Sequence, residues 1–134
     1  MIVSDVMDEV AGLLGTISGL RVTAYPPDEI QVPAAVVGYP EIDFDGTYAR
    51  GMDRFELPVF VAVSKVSTRA ARDKVTPYMN GSGALSVKAA LETGPYTAFH
   101  TLHVTRIAPA EPLTVGALEY LSIELTCVIT GSGA

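Results

Sequence analysis

The sequence contains little cysteine, little charge and no long apolar run, and each shortage excludes a class of protein. One cysteine among 134 residues excludes a framework of intrachain disulfides. Only 18% of the residues are charged, and 15 acidic residues against 9 basic ones argue against a basic nucleic-acid-binding domain. No uncharged run reaches the roughly 20 apolar residues of a membrane helix, and the first residues lack the basic region of a signal peptide. We therefore expect no membrane partner and synthesis in a reducing cytoplasm.

What the sequence does contain is apolar surface. Hydrophobic residues make up 49% of the chain and its mean hydropathy is +0.33, which excludes disorder. Residues 1–134 have the length of one domain, and residues 131–134 are expected to form a flexible tail. A soluble protein usually has about 25% charged residues. We interpret the low charge as a sign that part of the apolar surface is buried against partners.

Charge is segregated along the chain. Residues 1–60 carry a net charge of −7, residues 61–110 carry +4 and residues 111–134 carry −3. Complementary patches of this kind steer subunits together and fix their register. A folded monomer can carry such a distribution by chance, and a self-associating protein can use it.

Hydrophobic spacing predicts three helices. Residues 3–17 follow the pattern of an amphipathic helix, with Ser4 as the predicted N-cap. A second helix is predicted from residue 67 or 68 to about residue 79, and Pro77 is expected to kink or break it. A short third helix is predicted over residues 86–92.

Strands are predicted over residues 20–25, 34–39, 55–64, 98–109 and 118–130. Residues 55–64 and 118–130 alternate strictly between apolar and other side chains, which is typical of half-buried strands. Pro58 predicts that one stretch of its strand lies at an edge or a bulge. The order of elements predicts an α+β fold, a single domain in which helices pack on one face of a mainly antiparallel mixed sheet of four to five strands.

The segment 40–53 has neither period and is predicted as a long loop. Its candidate contact residues are Asp43, Phe44, Asp45, Tyr48, Arg50 and Met52. Aromatic residues, methionine and arginine are enriched at the centres of interfaces. The alternating acids before Gly46 resemble the first half of a calcium-binding EF-hand loop, but Met52 stands where that loop requires a glutamate. A looser divalent-cation site at Asp43 and Asp45 stays open.

Residues suited to catalysis are few. His100 and His103 lie three apart in a predicted strand, so their side chains are expected to diverge and not to share a metal. Cys127 lies on the apolar side of its strand and is expected to be a small buried hydrophobe. We predict no catalytic residue, no metal and no cofactor, and hence no enzyme.

Two phrases of the sequence carry a family resemblance. The first is Ala24-Tyr25-Pro26-Pro27-Asp28 followed by Val32-Pro33-Ala34-Ala35-Val36-Val37. The second is Asp73-Lys74-Val75 followed by Gly81-Ser82-Gly83-Ala84-Leu85-Ser86-Val87-Lys88-Ala89-Ala90-Leu91. With the alternating strand between them, they resemble tail terminator (tail completion) proteins of long-tailed, siphovirus-type phages, particularly those that infect actinobacteria. The resemblance covers most of residues 3–130 and rests on these phrases and on the order of elements.

The resemblance implies a structural virion protein at the tail–neck junction, assembled in the host cytoplasm. A hexameric ring of such a protein caps the tail tube, ends its polymerisation and joins the tail to the head connector. Its partners would be further copies, the major tail tube protein and the head-closure protein, with genome DNA only as cargo through the lumen. The alternatives are a head–tail connector or neck adaptor and, from another class, a small ligand-binding α/β domain.

A closed ring brings one patch of each copy against a different patch of the next. The candidate acidic patch contains Asp43, Asp45 and Asp53, and the candidate basic patch contains Arg69, Arg72 and Lys74. The basic residues also suit phosphate binding, but we favour an exposed helix face because the chain is acidic. We predict that the 40–53 segment reaches a neighbouring subunit or the adjacent ring.

Overall fold

The computed structural model describes residues 2–24, 33–44, 52–65, 69–108, 111–115 and 118–132. Within these residues the elements are α1 (Val3–Leu14), β1 (Arg21–Thr23), β2 (Ala34–Val37), β3 (Glu41–Asp43), β4 (Met52–Lys65), α2 (Arg69–Met79), α3 (Val87–Leu91), β5 (Thr101–Ile107), β6 (Glu111–Val115) and β7 (Leu118–Ser132). They form one small α+β domain, as the order of elements predicts.

Two long antiparallel strands, β4 and β7, run through the middle of the sheet. β2 and β3 pair in succession with the other side of β4, and β5 and β6 pair in succession with the other side of β7. β1 pairs with β2, and this is the one parallel pair among the described strands. The main path is β1-β2-β4-β7-β5, and β3 and β6 are short additions to it. The predicted mixed, mainly antiparallel sheet is confirmed.

Three boundaries differ from those that the sequence predicts. β3 lies inside the 40–53 segment, which is predicted as a loop. The strand predicted over residues 98–109 is the shorter β5, and β6 follows it as a separate strand that the sequence does not predict. Gly131 and Ser132, expected in a flexible tail, belong to β7 and pair with the first residues of β4. In each case a long central strand supplies hydrogen bonds that no local pattern reveals, because pairing is a tertiary property.

The core is one cluster, built from one side of the strands and one side of each helix. Its largest fully buried side chains include Phe55, Leu14, Leu57, Leu91, Ile123, Leu125 and Ile129. β4 and β7 contribute in register, since Leu57 lies opposite Cys127 and Val59 lies opposite Leu125. Each such side chain contributes about 1.5–3 kcal/mol on burial. Because side chains of all three described helices join this one cluster, these helices cover the same face of the sheet, as predicted.

The other face of the sheet is covered only in part. Near the register shift between Ala62 and Ser64, Val36 and Ala62 are buried although they point away from the helices. Toward β3 the same face is open, with Glu56 half-buried and Glu41 exposed. This open half of the sheet carries the acidic residues Glu41, Glu56 and Glu124, which are described below.

Two prolines occupy positions where the sequence predicts irregular backbone. Pro58 lies in a central strand and not at an edge, but its carbonyl faces the interruption between β2 and β3, where it accepts the N–H of Gly38. The nitrogen of a strand residue points to the same side as its carbonyl, so the donor that Pro58 lacks would face Gly38, and the β2–β4 pairing ends one residue earlier, at Val37 opposite Val59. α2 does not break at Pro77 but continues through it to Met79.

Candidate interaction surfaces

Cys127 is fully buried in the middle of β7, as predicted. Burial, with a smaller contribution from the negative charge of Glu92, raises the pKa of its thiol to about 12. The thiol is therefore protonated at neutral pH, whereas a nucleophilic cysteine needs a thiolate that substrate can reach.

The two histidines are exposed, and both border one hollow. His100 precedes β5, so strand alternation does not apply to it, and its N–H donates to the carbonyl of Thr130 at 2.8 Å. The other lining residues of this hollow are Glu92, Tyr96, Thr101 and Leu102. Within the described part of the chain, no three His, Cys, Asp or Glu side chains are placed to hold a metal ion.

Glu92 covers part of the free edge of β5. Its carboxylate accepts the N–H of Val104 at 2.9 Å and also contacts the ammonium of Lys88. Partial burial raises the pKa of Glu92, but these two partners outweigh it and hold the pKa below its ordinary value. An ionised carboxylate on an edge N–H discourages pairing with another strand, so this edge is not the surface that we assign to a partner.

The nine predicted contact residues fall into three groups. The structure describes the side chains of Asp43, Phe44, Met52 and Lys74. Asp45, Tyr48 and Arg50 lie outside the described residues, and Arg69 and Arg72 are described only as backbone positions on α2.

The end of β3 presents Asp43 and Phe44 to solvent, as expected of contact residues. Phe44 is 73% exposed, and the Asp43 carboxylate lies 3.4 Å from the guanidinium of Arg54. An exposed ion pair of this kind contributes about 0–1 kcal/mol. Asp53 is only 6% exposed, so its expected place in an acidic surface patch is wrong. Alternation along β4 directs it to the same side as Phe55, which is the core side.

Carboxylates gather on the open half of the sheet. Glu41, Glu56 and Glu124 border a shallow hollow together with Tyr39, Pro58 and Thr126. Arg54 lies 2.9 Å from Glu56 and also contacts Asp43. We call the set Glu41, Asp43, Arg54, Glu56 and Glu124 the acidic face. Four carboxylates against one guanidinium give it a net charge of −3.

Sequence reasoning missed the acidic face as a group. Glu56 and Glu124 lie far apart in the chain, and only the β4–β7 register places both on the side away from the helices. The available signal was that both residues stand at polar positions of strictly alternating strands.

A third hollow, of about 340 Å³, lies between α2 and the end of β4. We call it the α2 hollow, and it is lined by Pro33, Val63, Asp73, Lys74, Pro77, Tyr78 and Leu85. Burial raises the pKa of the Tyr78 hydroxyl, so that group is neutral at pH 7. Apart from Asp73 and Lys74, the lining is neutral and mostly apolar, and its volume is at the low end for ligand pockets.

No protein-family model and no curated protein matches this chain. Among the described helices, none has the length and apolar character to cross a membrane.

Proposed function

We propose that this protein is a tail terminator of a long-tailed phage. In this proposal it is a structural virion protein and not an enzyme. It forms a hexameric ring at the tail–neck junction, caps the tail tube, ends its polymerisation and joins the tail to the head connector. Its partners are further copies of itself, the major tail tube protein and the head-closure protein. It assembles in the host cytoplasm, and genome DNA passes its lumen as cargo.

The acidic face is the observation that supports this proposal best. It lies on the side of the sheet away from the three described helices, where Asp43 and Glu56 contact the guanidinium of Arg54. Glu41 and Glu124 border the same hollow as Glu56, and Arg106 of the neighbouring β5 lies opposite Thr126. A channel that passes DNA must not retain it, and negative walls repel phosphate groups. In a hexamer with this side of the sheet turned inward, the carboxylates of Glu41, Glu56 and Glu124 line the lumen six times.

Segregated charge supports the ring itself. The acidic β3 end and the α2 segment, with three basic residues and one acidic residue, belong to different elements of one copy. A head-to-tail ring needs two different patches of this kind on each subunit.

Polymerisation of the major tail tube protein of the same phage tests the proposal. Tubes grown with and without this protein are compared in length by electron microscopy. We expect shorter tubes with a ring at one end when the protein is present. A neck adaptor would leave the tube length unchanged, because it acts on the head side of the junction. Tubes of equal length without end rings would overturn the proposal.

A matched variant tests whether capping of the tube depends on the charge of the acidic face. The triple substitution Glu41→Gln, Glu56→Gln and Glu124→Gln removes charge from the acidic face and leaves its shape in place. We expect this variant to cap tubes as the wild type does, because the proposal assigns these residues to the lumen. Failure of the folded variant to cap would overturn that assignment.

A further inference from the structure

Phe44 stands out on the described surface. It is one of three large hydrophobic residues that are strongly exposed there, with Ile2 and Tyr39. It follows β3 directly, and acidic residues stand on both sides of it in the sequence, Asp43 and Asp45. An aromatic side chain that is 73% exposed costs solvation free energy unless a partner covers it. Aromatic anchors that fill a pocket dominate the energy of many interfaces.

The α2 hollow has the chemistry of the complementary site. Val63, Pro77 and Leu85 give it apolar walls, and Lys74 lies at its border. α2 carries three basic residues against the single acid Asp73 in the sequence, a net charge of +2. The hollow therefore offers an apolar pocket on a positive element, whereas Phe44 is an apolar side chain between negative neighbours.

The two features cannot meet within one copy. Asp43 pairs with Arg54 near the start of β4, and Val63 of the α2 hollow lies near the end of that strand. Val63 lies nine residues after Arg54 along an extended strand, a distance of about 30 Å. Two complementary patches at opposite ends of a molecule produce a head-to-tail contact, which closes into a ring or continues as a filament.

We propose that Phe44 of one copy inserts into the α2 hollow of the next copy, with Asp43 facing Lys74 across the border of the contact. This inference rests on the proposed ring and names its subunit contact. The occupant of the hollow is a second copy of this chain, because Phe44 is an exposed aromatic between acidic residues, whereas the hollow is mostly apolar and belongs to an element of net charge +2, with Lys74 beside Asp73 in its lining. A small-molecule ligand of the hollow is the competing outcome in the tests below.

Single substitutions test the contact by sedimentation velocity, alone and on tail tubes. Phe44→Ala removes the anchor from an exposed position and should leave folding intact. We expect it to weaken self-association at least about 30-fold, which is typical of an interface hot spot. Tyr39→Ala is the matched control, since it removes another aromatic that is 70% exposed, and we expect wild-type association. Rings of Phe44→Ala at wild-type concentrations, or equal losses in both variants, would overturn the contact.

Mixing complementary variants gives a sharper result. Leu85→Glu blocks the α2 hollow and keeps Phe44, whereas Phe44→Ala keeps the hollow and lacks the anchor. Each variant alone should be monomeric, and the mixture should form dimers only, because one functional contact remains for each pair. A mixture that stays monomeric or forms rings would contradict the proposal. Circular dichroism of each variant is the control for folding.

Charge exchange provides a rescue test that does not depend on loss of function. Asp43→Lys and Lys74→Asp each place like charges across the border, and each should weaken association. The double variant restores opposite charges in every contact of the ring and should recover association toward that of the wild type. Failure of this rescue in a folded double variant would overturn the pairing of Asp43 with Lys74.

The outcomes separate this inference from the proposed function. Wild-type rings together with unchanged Phe44→Ala rings would reject the contact and leave the tail-terminator proposal standing. A wild-type chain that stays monomeric alone and on tubes would reject both. Association that depends on an added small molecule in the α2 hollow would reject the contact in favour of a ligand site.

Discussion

Gly38 donates its backbone N–H to the carbonyl oxygen of Pro58 at 2.8 Å, across the interruption between β2 and β3. A Cβ atom on Gly38 would lie 2.8 Å from Cγ of Pro58 and 3.3 Å from the ring of Phe60. The close approach explains how a proline fits into a central strand, because the neighbouring chain has no side chain at this point. It also fixes the path of the chain from β2 into β3 and the acidic face.

Gly38→Ala should destabilise the protein. The added methyl group must displace the Pro58 ring or separate the two strands, and overpacking of this kind costs about 1–3 kcal/mol. Chemical denaturation measures the free energy of unfolding. Gly12→Ala is the matched control, since a Cβ there has no neighbour within 4 Å and the residue lies inside α1. We expect it to stabilise by about 0.5–1 kcal/mol, and equal effects of the two substitutions would contradict the packing described.

Glu9 links α1 to the segment before β5, and this link should depend on pH. Its carboxylate accepts the N–H of Thr97 at 2.9 Å and of Ala98 at 3.2 Å, and it also accepts the Thr97 hydroxyl. Partial burial raises the pKa of Glu9, but these hydrogen bonds outweigh it, so the pKa lies below its ordinary value of 4.5. A lowered pKa in the folded state stabilises the protein above that ordinary value, and this stabilisation is lost as the pH falls through the folded-state pKa.

Glu9→Gln should therefore lower the free energy of unfolding by about 1–2 kcal/mol at pH 7, from weakened hydrogen bonds to a charged acceptor. The difference from wild type should shrink as the pH falls below 4.5. Asp8→Asn, at an exposed position on the same helix, should change stability by less than about 0.5 kcal/mol at either pH. A difference for Glu9→Gln that stays constant between pH 7 and pH 3 would contradict the ionised carboxylate described.

Cys127 should react with thiol reagents only when the protein unfolds. Its side chain is fully buried, and its pKa of about 12 leaves almost no thiolate at pH 8. Labelling at increasing reagent concentration should reach a plateau rate set by opening of the fold. Cys127→Ser should destabilise more than Cys127→Ala, by about 1–3 kcal/mol, because it places a hydroxyl among apolar side chains. Rapid labelling of the folded protein would show that the thiol is accessible.

Reversing one charge on the acidic face should create DNA binding. Glu124 is exposed on β7, so Glu124→Lys places a lysine in each copy of the proposed lumen. We expect the ring of this variant to retain duplex DNA at low salt and to lose it steeply as salt rises, because binding releases counterions. Asp8→Lys makes the same charge change on α1, on the other side of the sheet. Equal DNA binding by the two variants would argue against an inward acidic face.

The long elements could be predicted from the sequence because they carry strong local signals. Strict alternation identifies β4 and β7, and Ser86 caps α3 by accepting the N–H of Ala89. The N-cap of α1 is predicted two residues too late: the helix begins at Val3, with Ile2 and not Ser4 at the N-cap position. Helix ends of this kind depend on packing as well as on capping residues. β3 and β6 are too short for a period and exist because β4 and β7 hold them.

The candidate site could be predicted only in part. Exposed Asp43 and Phe44 were expected from the composition of their segment, and Lys74 from the basic helix. The buried position of Asp53 needs the register of β4, because one residue of shift exchanges the two faces. The α2 hollow joins residues of four separate segments, so no local pattern indicates it.

The most direct test of the central claim is electron microscopy of tail tubes that have grown in the presence of this protein, with averaging of the tube ends. The account predicts one ring of six copies at one end of each tube, of a mass six times the 14.1 kDa of the chain, with the acidic face toward the lumen. Tube ends that stay bare at saturating protein concentration would contradict it.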